Sequence, residues 1–268
     1  SWDNTHMIRI MSFNIRCGNC DDGDNAWNQR KDRVLARIRA FSPDLLGVQE
    51  CRDDAQAEYL KANLPEYQFY GVRRGGGGVT DVEMAPILIR KAAFQIVQTG
   101  RFWLSETPRK TGSKSWDAVF ARTAAWAELR HRGSGRSLTF LNTHFDYMPQ
   151  AIQGAAQQLR AWAEETARRR ALIITGDFNA DKNSAAYREL TADGLLRDAH
   201  RLANPGAPDA PTFHGYGNPA ELSPIDWLLV SRHFAVRSAA VDSHHEGSLY
   251  PSDHYPITAE IDWQTDGG

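Results

Sequence analysis

The sequence predicts an α/β fold, in which short apolar strands alternate with amphipathic helices. Residues 7–15 alternate and are rich in β-formers, which is typical of a strand. Residues 27–41 carry apolar side chains on one helical face, and 44–50 form another short apolar run. Later in the chain, a long helical segment over 150–170 precedes the strand that begins at Ala171. Strand and helix therefore alternate in both halves of the chain.

Length and composition describe an ordinary globular protein. The 268 residues, 41% hydrophobic and 24% charged, fit either one large domain or two small ones. The formal charge of −2 argues against a non-specific DNA-coating protein, although a local basic patch stays open. No stretch reaches the roughly 18 apolar residues of a membrane span. No leader is visible at the start, so we expect either a cytoplasmic protein or an exported one whose leader is absent.

The remaining segments continue the same pattern. Two further helices are predicted, over residues 53–63 and 187–191. The polar segment 105–115 and the segment 205–219, rich in Pro, Gly and Asn, are predicted to be surface loops. The other predicted strands are 67–72, 85–89, 94–104, 123–130, 137–144, 225–230, 234–241 and 257–261.

Two local motifs carry weaker signals. The glycine run 75–78 is either a mobile hairpin loop or a phosphate cradle, and it lacks the lysine and following helix of a P-loop, which favours the hairpin. Cys17 and Cys20 have the spacing of some zinc and redox sites, but no further thiols or histidines follow at matched spacing. The total of three cysteines also gives no indication of a disulfide scaffold.

The strand from Ala171 ends in Gly176, Asp177, Phe178 and Asn179. Residues two apart on an extended chain point to the same side, so Asp177 and Asn179 present a carboxylate and an amide to one point. Hard cations and phosphate chemistry use that pairing. The alternative is a turn in which both side chains cap their own backbone. This stretch by itself leaves both interpretations open.

Polar side chains recur at predicted strand ends along the whole chain. Each of them has a structural explanation when taken singly, but that many independent coincidences are not expected. Asp226 is the clearest case, because a carboxylate in an apolar strand is costly without a partner such as His254. The full set is Asn14, Glu50, His144, Asp177, Asn179, Asp226, Asp253 and His254.

The local contexts MSFNIR, GVQE, NTHFD, GDFNA, IDWLLVS and SDHYPI occur in this order. With them the chain resembles the endonuclease/exonuclease/phosphatase superfamily, which is related to deoxyribonuclease I and exonuclease III. FWLSETP and KSWD resemble a bacterial subgroup near its deadenylase-like branch. The resemblance covers residues 7–263 and implies a single domain over 1–268. It implies a four-layered α/β/β/α sandwich with two packed mixed sheets, and hydrolysis of a phosphate ester with Mg²⁺ or Mn²⁺.

The resemblance also implies a metal-binding group. Glu50, with Asn14 and Asp253, would form an oxygen-rich magnesium site. Asp177 and Asn179 would position the attacking water or hold a second metal ion. Asn179 would in addition donate to the developing phosphorane oxygens.

Further residues are implied to act on the phosphate. His254, oriented by Asp226, would act either as a general base or as a stabiliser of phosphate charge. His144 would contact the phosphate in the transition state. Arg122 matches a phosphate-binding arginine of relatives less closely, so a plain surface-strand arginine remains the alternative.

The substrate is predicted less sharply than the reaction. Nucleotides or short single-stranded nucleic acid lead narrowly over sugar, inositol or lipid phosphates, with Trp103 and Trp116 as either stacking surfaces or core residues. Trp227 follows Asp226, where inositol-polyphosphate phosphatases carry arginine, and the glycine run has no aromatic tip for a membrane. A catalytically inactive binding module on the same fold is the competing class, and the filled motifs speak against it. We expect a monomer without membrane insertion.

Overall fold

The computed structural model describes residues 6–78 and 80–265, which contain two six-stranded sheets packed face to face. Helices cover the outer face of each sheet, so the order of layers is helix, sheet, sheet, helix. A small two-stranded sheet, Cys51–Arg52 (β3) with Glu83–Met84 (β5), lies beside them. Among the described residues, no helix has the length and apolar character needed to cross a membrane. The predicted four-layered sandwich is confirmed.

The first sheet has the strand order β13-β14-β1-β2-β6-β4. β1 and β2 run parallel, and all other neighbours in this sheet are antiparallel. Its strands are Ile8–Asn14 (β1), Leu45–Gln49 (β2), Tyr67–Tyr70 (β4), Ile87–Arg90 (β6), Phe234–Val241 (β13) and Ile257–Trp263 (β14).

The second sheet has the strand order β11-β12-β10-β9-β8-β7. It repeats the plan of the first sheet, because one central pair, β9 with β10, is parallel and the others are antiparallel. Its strands are Phe94–Trp103 (β7), Thr123–His131 (β8), Ser137–His144 (β9), Ala171–Asp177 (β10), Leu196–Asp198 (β11) and Asp226–Ser231 (β12).

Side-chain alternation along the strands builds the layers. In β1, Ile8 and Ile10 pack between the two sheets, whereas Met11 and Phe13 pack under the helices. In β10, Ile173 faces the space between the sheets and its neighbours face the other helical layer. Because successive strand residues point to opposite faces, a strand with apolar residues on both sides is buried on both sides. This accounts for the apolar runs that the sequence shows at β2 and β10.

Among the described residues, five α-helices connect the strands, and residues next to each end stabilise several of them. Asp54, Ser184 and Asp198 each accept a hydrogen bond from a backbone N–H of the first turn that follows, as N-cap residues do. Ser42 ends the first helix in a left-handed conformation, just before Pro43. The helices are Trp27–Phe41 (α1), Ala55–Asn63 (α2), Pro149–Ala167 (α3), Ala185–Thr191 (α4) and Ala199–Ala203 (α5).

The sequence prediction missed only short elements. β3, β5, β11 and α5 each have five residues or fewer, too few for a periodic pattern to emerge.

The two parallel pairs decide where the polar strand ends lie. β1 and β2 end together, which places Asn14 next to Glu50, the residue that follows Gln49. β9 and β10 also end together, with His144 opposite Asp177. β12 starts where β10 ends, and Asp226 is the register partner of Asp177. The packed sheets therefore bring both sets of strand ends to one edge of the sandwich.

Candidate active site

A cleft of about 740 Å³ opens at this edge of the sandwich. It is lined by seven of the ten residues predicted for the site, while Asn14, Asp226 and Trp116 do not line it. Asn14 and Asp226 lie directly beneath its floor, at hydrogen-bond distance from lining residues. The seven lining residues are Glu50, Arg122, His144, Asp177, Asn179, Asp253 and His254.

Asn14 joins two carboxylates at the floor of the cleft. Its amide Nδ2 donates to Glu50 Oε2 at 2.6 Å and to Asp177 Oδ2 at 2.9 Å. Its Oδ1 accepts from the backbone N–H of Arg16 at 3.0 Å, and this contact sets the orientation of the amide. The side-chain carbonyl of Asn14 therefore faces Arg16, and its amide nitrogen faces the two carboxylates.

Glu50 reaches the same point through an unusual backbone conformation. It follows β2 directly, with a φ of 58°, a left-handed value that non-glycine residues rarely adopt. Burial raises its pKa, but the adjacent His144 and His254 side chains and the hydrogen bond from Asn14 outweigh burial, so the pKa lies below its ordinary value. The Glu50 carboxylate is therefore ionised at neutral pH.

His254 and Asp226 form a buried pair. His254 Nδ1 donates to Asp226 Oδ2 at 2.8 Å, and Thr212 Oγ1 donates to the same oxygen at 2.6 Å. This leaves His254 Nε2 facing the cleft, 3.6 Å from Asp177 Oδ2 and 4.0 Å from Asp253 Oδ1. Burial lowers the pKa of His254, but the surrounding carboxylates raise it well above its ordinary value. Asp226 thus orients the ring, as predicted from its place in an apolar strand.

His144 lies between a cation and an anion, and this fixes its tautomer. Arg122 Nη1 donates to His144 Nδ1 at 3.0 Å, because a guanidinium has no acceptor. The Nε2–H then points at Asp177 Oδ2, 3.2 Å away. Arg122 is buried and also lies 3.5 Å from Asp146 Oδ1, so it is not a plain surface arginine.

Asp177 uses one side-chain oxygen in a turn with Asn179 and the other in the cleft. Asp177 Oδ1 accepts from the backbone N–H of Asn179 at 3.0 Å, which is the predicted turn. Asp177 Oδ2 instead faces Asn14 and His144 in the cleft. Asn179 donates through Nδ2 to the backbone carbonyl of Phe145 at 2.7 Å, and it also lines the cleft. The turn and the site therefore use different atoms of the same residues.

The donor atoms of this cleft suit a divalent cation. Ligand atoms of Glu50, Asp177 and His254 all lie within 4.8 Å of one another, and Asp253 adjoins them. Burial alone would raise the pKa of Asp177, but the neighbouring histidines lower it below its ordinary value. Burial raises the pKa of Asp253. Clustered carboxylates of this kind repel one another unless a cation joins them. Carboxylate and amide oxygens are the ligands that Mg²⁺ and Mn²⁺ prefer.

Several cleft residues were not found from the sequence. Arg16 forms a bidentate pair with Asp22, at 2.8 and 2.9 Å, and also lies 3.8 Å from both Glu50 and Asp253. Its position two residues after Asn14 is a signal that could have been used, since both would share one side of an extended chain. Glu83 was also not found from the sequence.

Glu83 belongs to a short strand with no periodic signal. It accepts from Arg74 Nη1 at 2.5 Å and lies 3.7 Å from Arg122 Nη1. Burial, together with the charge of Glu50, raises its pKa. Arg74 and Asp81 bring the loop that contains the glycine run to the cleft wall, where they pair at 2.8 Å. The loop is a hairpin-like connection with an ion-paired base and contributes to the cleft.

The tryptophans predicted as stacking surfaces do not serve the cleft. Trp103 is 2% exposed, and its Nε1 donates to the Arg74 backbone carbonyl at 2.7 Å. Trp116 packs on α3, where a Cβ added to Gly154 would overlap its indole ring. Trp116 does not line the cleft, because the loop that carries it folds back on α3.

Cys17 and Cys20 are joined by a disulfide in the cleft wall. From the sequence, their spacing was typical of some zinc and redox sites, whereas the odd number of cysteines indicated no disulfide scaffold. Cys51 is the buried free cysteine among the described residues.

Comparisons with known proteins agree with this geometry. The sequence model of the Endonuclease/Exonuclease/phosphatase family matches residues 11–254. An endonuclease/exonuclease/phosphatase from Bacteroides vulgatus is 33% identical, with 96% of this chain and 99% of that chain covered and a TM-score of 0.88. A mannosyl-6-phosphatase from Bacteroides thetaiotaomicron is 30% identical, with 96% and 100% covered and a TM-score of 0.86. Nocturnin from Rattus norvegicus is 23% identical over 95% of this chain, which spans 65% of that protein's length. The chain belongs to the endonuclease/exonuclease/phosphatase family.

Proposed function

We propose that this chain is a divalent-metal-dependent phosphodiesterase that acts on nucleotides or short single-stranded nucleic acid. Family membership supports phosphoester hydrolysis. One observation carries the rest of the proposal: three carboxylates, Glu50, Asp177 and Asp253, meet at one cleft floor beside two histidines with opposite hydrogen-bond arrangements. Acidic oxygens for a cation and imidazole nitrogens for phosphate and protons are the groups that this hydrolysis needs.

We assign the cation to Glu50, Asp177 and Asp253, with the Asn179 carbonyl as a further ligand. Mg²⁺ or Mn²⁺ bound there would neutralise phosphate charge and lower the pKa of a water molecule. Asn14 supports this arrangement by holding the Glu50 and Asp177 carboxylates from below. We therefore propose that Asn14 positions the metal-binding carboxylates, where the sequence led us to expect a direct ligand.

The imidazole groups act on either side of the phosphate. His254 Nε2, held by the Asp226 contact to Nδ1, is placed to take the proton of the attacking water or to hold phosphate charge. The His144 Nε2–H is placed to donate to a phosphate oxygen, with Arg122 holding the ring from behind. The second N–H of the Asn179 amide is the donor for the developing phosphorane.

A sugar phosphomonoesterase is the second candidate. It is favoured by the 30% identity to the mannosyl-6-phosphatase over nearly the whole length of both chains. A catalytically inactive binding module is disfavoured, because the predicted site residues are present and all but Trp116 lie in or beneath the cleft.

Replacement of Asp177 by Asn tests the proposal. Asp177→Asn should lower metal-dependent hydrolysis by at least about 100-fold, because the change removes a charged ligand and a partner of two site residues. A panel of a dinucleotide, nucleoside 5′-monophosphates, mannose 6-phosphate and a glycerophosphodiester would be assayed with Mg²⁺, with Mn²⁺ and with a chelator.

The matched control is Asp24→Asn, since Asp24 is an exposed aspartate outside the cleft. It should retain the activity of the unchanged chain, and circular dichroism should show both variants folded. Full activity of folded Asp177→Asn would rule out the assignment. Exclusive turnover of mannose 6-phosphate would favour the second candidate.

A further inference from the structure

Two exposed aromatic rings form a corner at the mouth of the cleft. Phe120 and Tyr147 both line it, and they are 38% and 51% exposed. Their ring centroids lie 6.4 Å apart with the planes at 68°. Large apolar side chains exposed together beside a polar site are typical of a ligand-binding surface. We call these two residues the aromatic corner.

The aromatic corner is held in place by buried polar contacts. Asp146, which is 2% exposed, accepts from the backbone N–H of Val119 at 2.9 Å, and the backbone N–H of Phe120 lies 3.5 Å from its other oxygen. The Arg74 guanidinium lies 4.4 Å from the Phe120 ring centroid. Binding a ligand to a surface that is already ordered costs little conformational entropy. The corner is therefore suited to binding and not only exposed by chance.

The aromatic corner is connected to the phosphate site through two side chains. The Arg122 guanidinium carbon lies 5.3 Å from the Phe120 ring centroid, and Arg122 also contacts His144. His144 in turn contacts Asp177 at the cleft floor. The aromatic corner and the cleft floor are thus linked by a continuous set of side-chain contacts through Arg122 and His144.

The chemistry of the aromatic corner favours a flat aromatic group over a polyol. The charged groups around it are engaged: Arg74 with Asp81 and Glu83, and Arg122 with Asp146. A sugar ring would need open hydrogen-bond partners at this place, whereas a nucleobase needs a π-face to stack on. The Arg74 and Arg122 guanidiniums lie over the Phe120 ring, so a base would stack on the more exposed Tyr147 ring with Phe120 beside it.

We propose that Phe120 and Tyr147 bind the base of a nucleotide substrate and so decide the specificity of the enzyme. The proposal rests on the phosphoester-hydrolase function proposed above and names residues for its substrate class. It replaces Trp103 and Trp116 as the stacking residues.

Pairs of ligands that differ only in the base test the proposal. The methyl esters of adenosine 5′-monophosphate and of ribose 5-phosphate, called the nucleotide and ribose 5-phosphate below, are phosphodiesters with the same sugar and phosphate. Phe120→Ala and Tyr147→Ala should each raise KM for the nucleotide by about 5- to 100-fold, as expected for the loss of one stacking contact. kcat/KM for ribose 5-phosphate should stay unchanged, and Tyr147→Phe should keep nucleotide affinity. Val97→Ala, at an exposed apolar residue of β7 outside the cleft, is the matched control.

Titration calorimetry of both ligands gives the same comparison without turnover. A base-dependent loss of affinity in Phe120→Ala and Tyr147→Ala supports the proposal. Equal losses for both ligands, no loss for either, or a loss confined to ribose 5-phosphate would each overturn it. A base-dependent effect on binding in a chain that hydrolyses no phosphate ester would instead reject the proposed function and keep the aromatic corner. Hydrolysis of a phosphate ester with unchanged ligand affinity in both Phe120→Ala and Tyr147→Ala would keep the proposed function and reject the aromatic corner.

Discussion

Single side chains in the cleft serve separate partners with separate atoms. One oxygen of Asp177 closes its own turn, while the other meets Asn14 and His144. The amide nitrogen of Asn14 joins two carboxylates while its oxygen holds Arg16. Such side chains cannot rotate without losing a hydrogen bond, and this is how a binding site is organised before its ligand arrives.

His254 provides the prediction at this scale. His254→Ala should lower kcat by about 10²- to 10⁴-fold, the usual contribution of a positioned acid–base group, with metal affinity changed much less. Steady-state kinetics and metal titration would measure the two quantities separately. His244→Ala, at an exposed histidine outside the cleft, should leave both unchanged. A large loss of metal affinity with normal kcat would show that His254 serves chiefly as a ligand.

At the scale of elements, a buried polar network connects the two sheets behind the cleft. Asn142 of β9 donates to the backbone carbonyls of Val48 and Pro86, at 2.7 and 3.0 Å. Its Oδ1 accepts from Gln49 at 2.7 Å and from Thr175 at 3.0 Å. These contacts cross from one sheet to the other next to the strand ends that carry the site. Buried hydrogen-bond networks of this kind fix the relative position of the elements they join.

A substitution at Gly47 tests this connection, because this residue of β2 faces the network with no room for a side chain. A Cβ at Gly47 would overlap the side chains of Thr175 and Asn142. Gly47→Ala should therefore lower the free energy of unfolding by about 1–3 kcal/mol through overpacking. Urea denaturation followed by circular dichroism would measure it.

Gly77→Ala is the matched substitution in open space. It should stay within about 0.5 kcal/mol of the unchanged chain. Equal stability of the two glycine variants would show that the sheets can move apart without cost.

At the scale of the whole molecule, buried neutral histidines make stability depend on pH. Burial lowers the pKa of His131, assisted by the nearby His6. His131 Nδ1 accepts from Ser134 Oγ and faces Trp263 Nε1, so the ring is held in its neutral form. Its unfolded pKa is about 6.5. Below that value the unfolded chain binds more protons at this residue, and stability falls as the pH falls.

His131→Phe keeps a ring against Phe94 but cannot be protonated. We expect the variant to be less stable than the unchanged chain at pH 7.5, because the Trp263 N–H and the Ser134 hydroxyl lose an acceptor. The difference should shrink as the pH is lowered through about 6.5, because only the unchanged chain pays the protonation term. Urea titrations at several pH values would show this, and a difference independent of pH would contradict it.

Much of the fold and part of the site could be read from the sequence. Alternation of apolar and polar residues identified strands with one buried face, and short apolar runs identified strands buried on both faces. Short elements such as β5, which carries Glu83, gave no such signal. Trp103 and Trp116 were assigned from residue type, and residue type does not say which way a loop folds.

The sequence by itself determined that carboxylates, amides and histidines end the strands, and the local chemistry of each turn followed from neighbouring residues. Only the tertiary structure decided which of these ends meet. Asn14 and Asp177 are 163 positions apart and share a hydrogen bond, because two parallel strand pairs end at one edge of two packed sheets. The placement of Phe120 and Tyr147 together at the cleft also comes from long-range packing, which no local pattern encodes.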